Sequence, residues 1–584
     1  MVNSLYERDF NEQGALKRPG RLDFRLLNNI DNAGDGYPGL QKAMRNWHTN
    51  NLLELYVEPG ESIQEAIDNA MSEREYCVLI LKAGTHGSAD TFPITVNNAN
   101  SAIWIRGEDK GVTIIEADTT YDNIFEVLNS KTTIISDIYF DCLDWDSYDY
   151  GSVILVNEAN DNPVYIYRLG AICGFGKGYG GHLVEIQSDN VYIEYCEIDE
   201  WGTLFYISAS CSNINVGYNI IGDDCNYICD NDNVTITHLH IYSNYSPSSK
   251  FVLETATTTN VTLSKNYFES IDISSCENLN IFGNYIINTT ATDALDLAGI
   301  TNYSVVGNII HSSGSTRYPA ALRYCTYGSI IGNEFYNDST VLYIFQLRDD
   351  CYYNSITGNT FSGGQNGVFF NTNDDSMYNT VANNIFHNNS STSITLTSGS
   401  NYNVINGNYT DTSPISIASN FNNISGNVCK SSTNGITISG SHNTISGNTC
   451  VYNSTSGINI TGNSNTISGN VCNYNTLRGI YCTGDYNNIN GNTCSINNTS
   501  SATDGGGIWL ATDADYCNVS GNMCYGNTND TGTAYGIYIG AGCDDTLVAS
   551  NNCQGNETDY SDNGTNTVDD TAGATVGANL NRFD

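Results

Sequence analysis

Basic residues are scarce in this chain. Only 22 Lys and Arg stand against 63 Asp and Glu, a formal charge of −41. Eleven of the 22 fall within the first 110 positions, so the remainder is almost devoid of cations. Such a surface repels phosphates and anionic headgroups, which disfavours nucleic acid and anionic membranes as partners, so no nucleic acid is expected. The same excess of carboxylate suits high salt and points to a halophilic source. No run of about 18 apolar residues occurs, so no membrane-spanning helix is expected. The opening stretch MVNSLYERDFNEQG lacks the apolar centre of a secretory signal. Helical spacing of apolar residues is missing from most of the chain.

Repetition takes its place. NTISGNTC (443–450) returns as NTISGNVC (465–472) and NNINGNTC (487–494). The Gly-Asn pair and its degenerate forms recur from residue 218 to residue 551 at intervals of about 24 residues, the period of a solenoid. Two residues before each glycine position stands an aliphatic side chain, such as Ile281, Val305, Ile330, Ile424, Ile445 and Ile467. Three residues after it comes a column that runs Phe335, Phe361, Phe386, Thr410, Cys429, Cys450, Cys472, Cys494, Cys524 and Cys553. A second alternating segment precedes each phrase, as in GITIS (435–439) and GINIT (457–461). Period-two alternation marks a strand with one buried face. Short strands, polar turns and this period predict an all-β, single-stranded right-handed parallel β-helix. It should have about 18–21 coils, stacked at about 4.8 Å each, and a small mixed N-terminal region. Asn after Gly is read as a residue tolerant of a left-handed corner, with an amide free to bond the next rung. The cysteines occupy a column held elsewhere by Phe and Ile, so they are read as small reduced core hydrophobes. Their total of 19 is odd and leaves at least one unpaired within the chain.

These columns resemble the pectate-lyase-like superfamily of right-handed parallel β-helix proteins, which includes NosD-like repeats, polysaccharide lyases and hydrolases, and phage tailspikes. ESIQEAIDNA (61–70) reads as an amphipathic helix with Ser62 and Glu65 spaced as a capping box, and YCVLILKAGTHG (76–87) looks like the strand and turn that open such folds. Three divisions follow: an attachment or capping region over 1–55, the β-helix over 56–556, and a C-terminal cap or tail over 557–584. The resemblance specifies fold better than activity. The pectate-lyase Arg/Lys set and the polygalacturonase N-T-D, D-D and H-G pattern are not assembled here.

The superfamily's enzymes work on an outward face of stacked strands. In SIDIS (270–274) and ALDLA (294–298), Asp272 and Asp296 should point out. In ALRYC (321–325), Arg323 should point out between inward Leu322 and Tyr324. Glu254, Asp272, Asp296, Arg323 and Arg348 are expected to form one outward line. Asp272, Asp296 and Arg323 are its candidate catalytic residues, since paired carboxylates divide acid and base work on a glycosidic bond. Trp145, Asp144 and Asp146, with Glu200 and Trp201, are candidate glycan-binding residues, because aromatic rings stack on sugars while carboxylates accept hydroxyls. No dedicated metal site is expected, though Asp-rich loops of this kind are suited to Ca²⁺. The leading functional expectation is a virion surface or tail-associated protein that binds a host-surface polysaccharide or glycoprotein. It would dock on other virion proteins through residues 1–55 and form a homo-oligomer, a trimer in the tailspike case. The alternatives are a polysaccharide lyase or glycoside hydrolase, and a cell-surface or filament-forming structural protein.

Overall fold

A computed structural model describes residues 53–583 apart from 110, 117–122, 143–150, 161, 174–180, 200–201, 223–224, 255–256, 291–292, 314–317, 339–341, 372–374, 500–504, 530–533 and 570–581. The chain divides into units at Leu53 and Glu54. The expected attachment region, residues 1–55, lies almost wholly outside the described residues, as do Trp145, Asp144, Asp146, Glu200 and Trp201.

The helix Ile63–Glu73 starts where the sequence places it, with Ser62 accepting from the Glu65 N–H. The rest of the cap comes from outside the box. The Asp90 carboxylate takes the N–H groups of Ile63 and Gln64, both at 3.0 Å, satisfying donors that a helix start otherwise leaves free. From Leu53–Val57 onward the chain winds as a right-handed parallel β-solenoid of about 18 turns. A representative coil places Asn434–Ile438 in a first sheet, Thr444–Ser446 in a second and Thr449–Val451 in a third. Each pairs with its copy in the next coil, Ile436 with Ile458, Ile445 with Ile467 and Cys450 with Cys472. Parallel strands Val568–Asp569 and Arg582–Phe583 extend the pairing beyond residue 556.

The inward columns form the core. Phe335, Phe361 and Phe386 stack ring on ring at 5.1 and 5.0 Å. Thr410 and then the cysteines continue that file in register. The 18 cysteines whose side chains are described are all buried. Burial holds the Cys494 thiol well above its ordinary value, as expected for an apolar enclosure.

The corners correct one expectation. At Gly447, Gly469 and Gly491 the positive φ belongs to the glycine, not to the Asn that follows. Where the pair is degenerate, Tyr218, Ser243, Lys265, Asn383 and Ser550 adopt the same left-handed geometry. The Asn instead points inward and builds a ladder. Asn448 donates Nδ2 to the Ile424 carbonyl and to Asn470 Oδ1, while its own Oδ1 accepts from the backbone and side-chain N–H of Asn427. The pattern runs unbroken from Asn219 to Asn551, and two shorter Asn ladders occupy the other corners, 354–487 and 453–556. Buried corner amides are thus paired with each other and with carbonyls, which removes the penalty of unpaired polar groups. The residue before the second ladder is also left-handed. There Tyr327, Tyr353, Tyr378, Tyr402, Phe421 and His442 stack face to face at 5.0–5.4 Å on the surface. Their faces cover one another and leave mainly edges to solvent.

Candidate functional site

The outer face of the first sheet carries the acidic cluster. Alternation turns Ile271 and Ile273 into the core and Asp272 outward on Ser270–Ser274; Asp296 stands outward on Leu295–Ala298. The two carboxylates are register partners on adjacent rungs. Arg323, at the end of Ala320–Arg323, reaches back across a rung and grips Asp296 with Nε at 3.2 Å and Nη2 at 2.8 Å. This two-point fork fixes the carboxylate as well as its charge. Arg348 stands beside Arg323 in register, takes Gln346 Oε1 at 2.6 Å, and faces Asp293 Oδ2 at 3.5 Å.

Burial pushes the Asp272 carboxyl up to about 6, helped by the charges of Asp296 and Glu254 and opposed by Arg323. Asp296 is also raised by burial, but there the first force acting against the shift is the Arg323 cation. The pair is therefore unlike: Asp272 is the readier proton carrier, and Asp296 is the clamped anion. An aromatic flank completes the patch. The Arg348 guanidinium lies over the Tyr318 ring at 5.1 Å, Tyr318 meets Tyr343 at 5.2 Å, and Tyr343 stacks on Phe369 at 4.1 Å.

Asp272, Asp296 and Arg323 are thus brought together as expected, with three differences. The expected single line is two columns, because Asp296 pairs with Ala321 whereas Ala298 pairs with Arg323. Glu254 follows the end of Lys250–Leu253, and the residue in register with Asp272 is Val252. Tyr324 does not point inward: the strand ends at Arg323, the chain turns left-handed at Tyr324, and its side chain is 59% exposed. Asp293, Tyr318, Tyr343 and Phe369 are additions, which alternation around Asp296 and alignment of coils could have found. On the second sheet the structure adds Glu194, buried and bonded by the Tyr242 hydroxyl, whose ring passes over the bare Cα of Gly217. Burial raises the Glu194 carboxyl to about 7.

Residues 246–409 match the family model of the right-handed beta helix region, and residues 391–581 match that of the periplasmic copper-binding protein NosD. The chain is a right-handed parallel β-helix protein. No curated protein matches it in sequence. Among solved structures it is similar to the A-module of the Azotobacter vinelandii mannuronan C-5 epimerase AlgE4, with 16% identity, 57% of this chain and 93% of that chain covered, and a TM-score of 0.36. It is similar to the Streptococcus pneumoniae surface protein and adhesin PfbA, with 11% identity, 61% and 100% coverage, and a TM-score of 0.36. It is also similar to tailspike protein 3 of bacteriophage CBA120, with 13% identity, 73% and 65% coverage, and a TM-score of 0.30. Among the described residues, those matched to the NosD model do not assemble a copper site. Six of their nine cysteines form one buried file inside the core, Cys482, Cys517 and Cys543 are buried outside it, and among the described residues no three His, Cys, Asp or Glu side chains converge as metal ligands.

Proposed function

We propose that this β-helix protein works at a cell or virion surface and engages a glycan through the first-sheet patch around Asp272, Asp296 and Arg323. The observation that carries the reading is the joining of a carboxylate pair, of which Asp296 is clamped by Arg323, to the Tyr318, Tyr343 and Phe369 rings on one outward face. Carboxylates accept sugar hydroxyls and rings cover sugar faces. Both arginines are already committed to Asp296 and Asp293, so the patch favours a polymer without anionic groups. The narrower form of the proposal is a virion spike, with residues 1–55 docked on other virion proteins and the shaft assembled as a homo-oligomer. Affinity electrophoresis of the whole protein through gels holding neutral, amino-bearing or uronate polysaccharides tests the reading. Retardation by a non-anionic polymer, lost in Tyr343→Ala/Phe369→Ala, is expected. Unchanged migration in every gel overturns it.

A second reading, hydrolysis, is favoured by the unlike protonation of the pair. Adjacent rungs set the carboxylates about 4.8 Å apart, close to the spacing of about 5–5.5 Å in retaining glycosidases. Asp272 would give its proton to the leaving oxygen as Asp296 attacks the anomeric carbon. Water, deprotonated by Asp272, would then release the sugar and free Asp296. New reducing ends with retained configuration, absent in Asp296→Asn, are the expected result. Intact polymer after incubation with the parent protein rules this reading out.

A further inference from the structure

The outward column that holds Asp272 and Asp296 does not begin there. Glu185, Tyr206 and Asp230 run in register, as do Val252, Asp272 and Asp296, and the two halves meet where Cys229 pairs with Phe251 just past a register shift at Tyr227. Five steps of about 4.8 Å carry it across about 24 Å of the first sheet.

Its first rungs form a built polar cluster. Glu185 accepts from Ser208 Oγ at 2.5 Å and Gln187 Nε2 at 2.8 Å through one oxygen, and from Ser152 Oγ at 3.2 Å through the other. Three donors on two oxygens fix the orientation of this carboxylate. The His182 ring stacks on Tyr206 at 4.5 Å with an interplanar angle of 17°. Burial lowers the imidazole's proton affinity, so it is neutral, and its Nδ1 is buried without a hydrogen-bond partner. Burial and a bond with Asp232 keep the Tyr206 phenol protonated. The neutral His182 ring, the Tyr206 phenol and the anchored Glu185 carboxylate together match the face and hydroxyls of a sugar. They do not match a cation, since no metal-ligand group converges among the described residues. An anionic ligand is disfavoured by Glu185, Asp230 and Asp232.

We propose that His182, Glu185, Tyr206 and Asp230 form a second glycan subsite, occupied by the far end of the same linear, non-anionic polysaccharide that reaches Asp272 and Asp296. The polymer lies along the solenoid axis and spans about six rungs. The assignment rests on the glycan reading of the Asp272 patch, and the test separates the two.

Isothermal titration of the whole protein with hexamers and dimers of β-1,4-linked glucose, N-acetylglucosamine and glucosamine, and with a galacturonate hexamer, reads the span directly. At least one non-anionic hexamer should bind ten times or more tighter than its dimer, with the galacturonate hexamer not binding. His182→Phe keeps the stack on Tyr206 but removes the ring nitrogens, and should weaken the hexamer about tenfold without changing the dimer. Tyr206→Phe, which removes only the hydroxyl, should act in the same direction. A hexamer weakened by Asp272→Asn/Asp296→Asn yet indifferent to both His182→Phe and Tyr206→Phe overturns the second subsite alone. No binding of any hexamer to the parent protein overturns the glycan reading as well.

Discussion

Replacing one rung of the long Asn ladder should cost far more than its size implies. Asn448 is fully buried, and besides Asn470 Oδ1, which also takes the Asn448 backbone N–H, its side chain serves three neighbouring groups: the Ile424 carbonyl, the Asn427 backbone N–H and one Asn427 amide hydrogen. In Asn448→Ala all three lose that partner at once. Each unsatisfied buried group costs about 1–3 kcal/mol. A water admitted to the vacated space would re-partner one of them. The expected loss is therefore about 3–5 kcal/mol. Thr444→Ala, at an exposed position on the same coil, should stay within about 0.5 kcal/mol. Solenoids need not unfold in one step. Urea unfolding followed by far-ultraviolet circular dichroism should accordingly be paired with hydrogen exchange of the coils spanning 424–470. The expected pattern is a loss of protection centred on those coils and fading along the ladder. A loss below about 1 kcal/mol, with exchange unchanged at Asn427, would refute the view that the ladder stabilises the corners.

Gly447 has a φ of +64° and open space where a Cβ would stand, so Gly447→Ala should lose about 1–2 kcal/mol from backbone geometry alone, read as a lower urea midpoint. Lys265 holds the equivalent corner at φ +56°, and Lys265→Gly should raise the urea midpoint, with the relief of left-handed strain exceeding the added chain entropy of about 0.5–1 kcal/mol. Asp272 has its folded carboxyl raised from the ordinary value of 3.8 to about 6, so the native state binds the proton more tightly than the unfolded chain. Its contribution is present below about pH 4 and is lost as pH rises to about 6. Asp272→Asn should match the parent in urea midpoint at pH 4 and exceed it at pH 8; equal midpoints at both would contradict the buried-carboxyl account. A thiol reagent should modify at most one of the 19 cysteines in the native protein and all of them after unfolding, since the 18 described side chains are sealed in the core.

The fold was legible because each coil repeats the same demand. An inward Ile, a corner glycine and a following Asn recur where the pairing of Ile445 with Ile467 and of Asn448 with Asn470 requires them. The division of labour at the corner was not legible. Gly and Asn both tolerate left-handed geometry, and only the positive φ at Lys265 and Tyr218, each followed by an inward Asn, separates the two roles. The site was half legible for a related reason. Alternation within one strand tells which side chains face out, so Asp272, Asp296 and Arg323 could be found. It does not tell which residues of different coils stand side by side. Coils differ in length, and a turn of a few extra residues moves a side chain from one column to the next. That is how Arg323 comes to neighbour Ala298 yet bind Asp296, and how Glu254 leaves the Asp272 column to Val252. The His182 and Tyr206 stack shows the same limit from the other side. Nothing in HLVEI or TLFYI marks a site, and only the register that lays Glu185 beside Tyr206 and both in line with Asp272 joins them. Function in such a solenoid is written across coils, perpendicular to the direction in which the sequence is read.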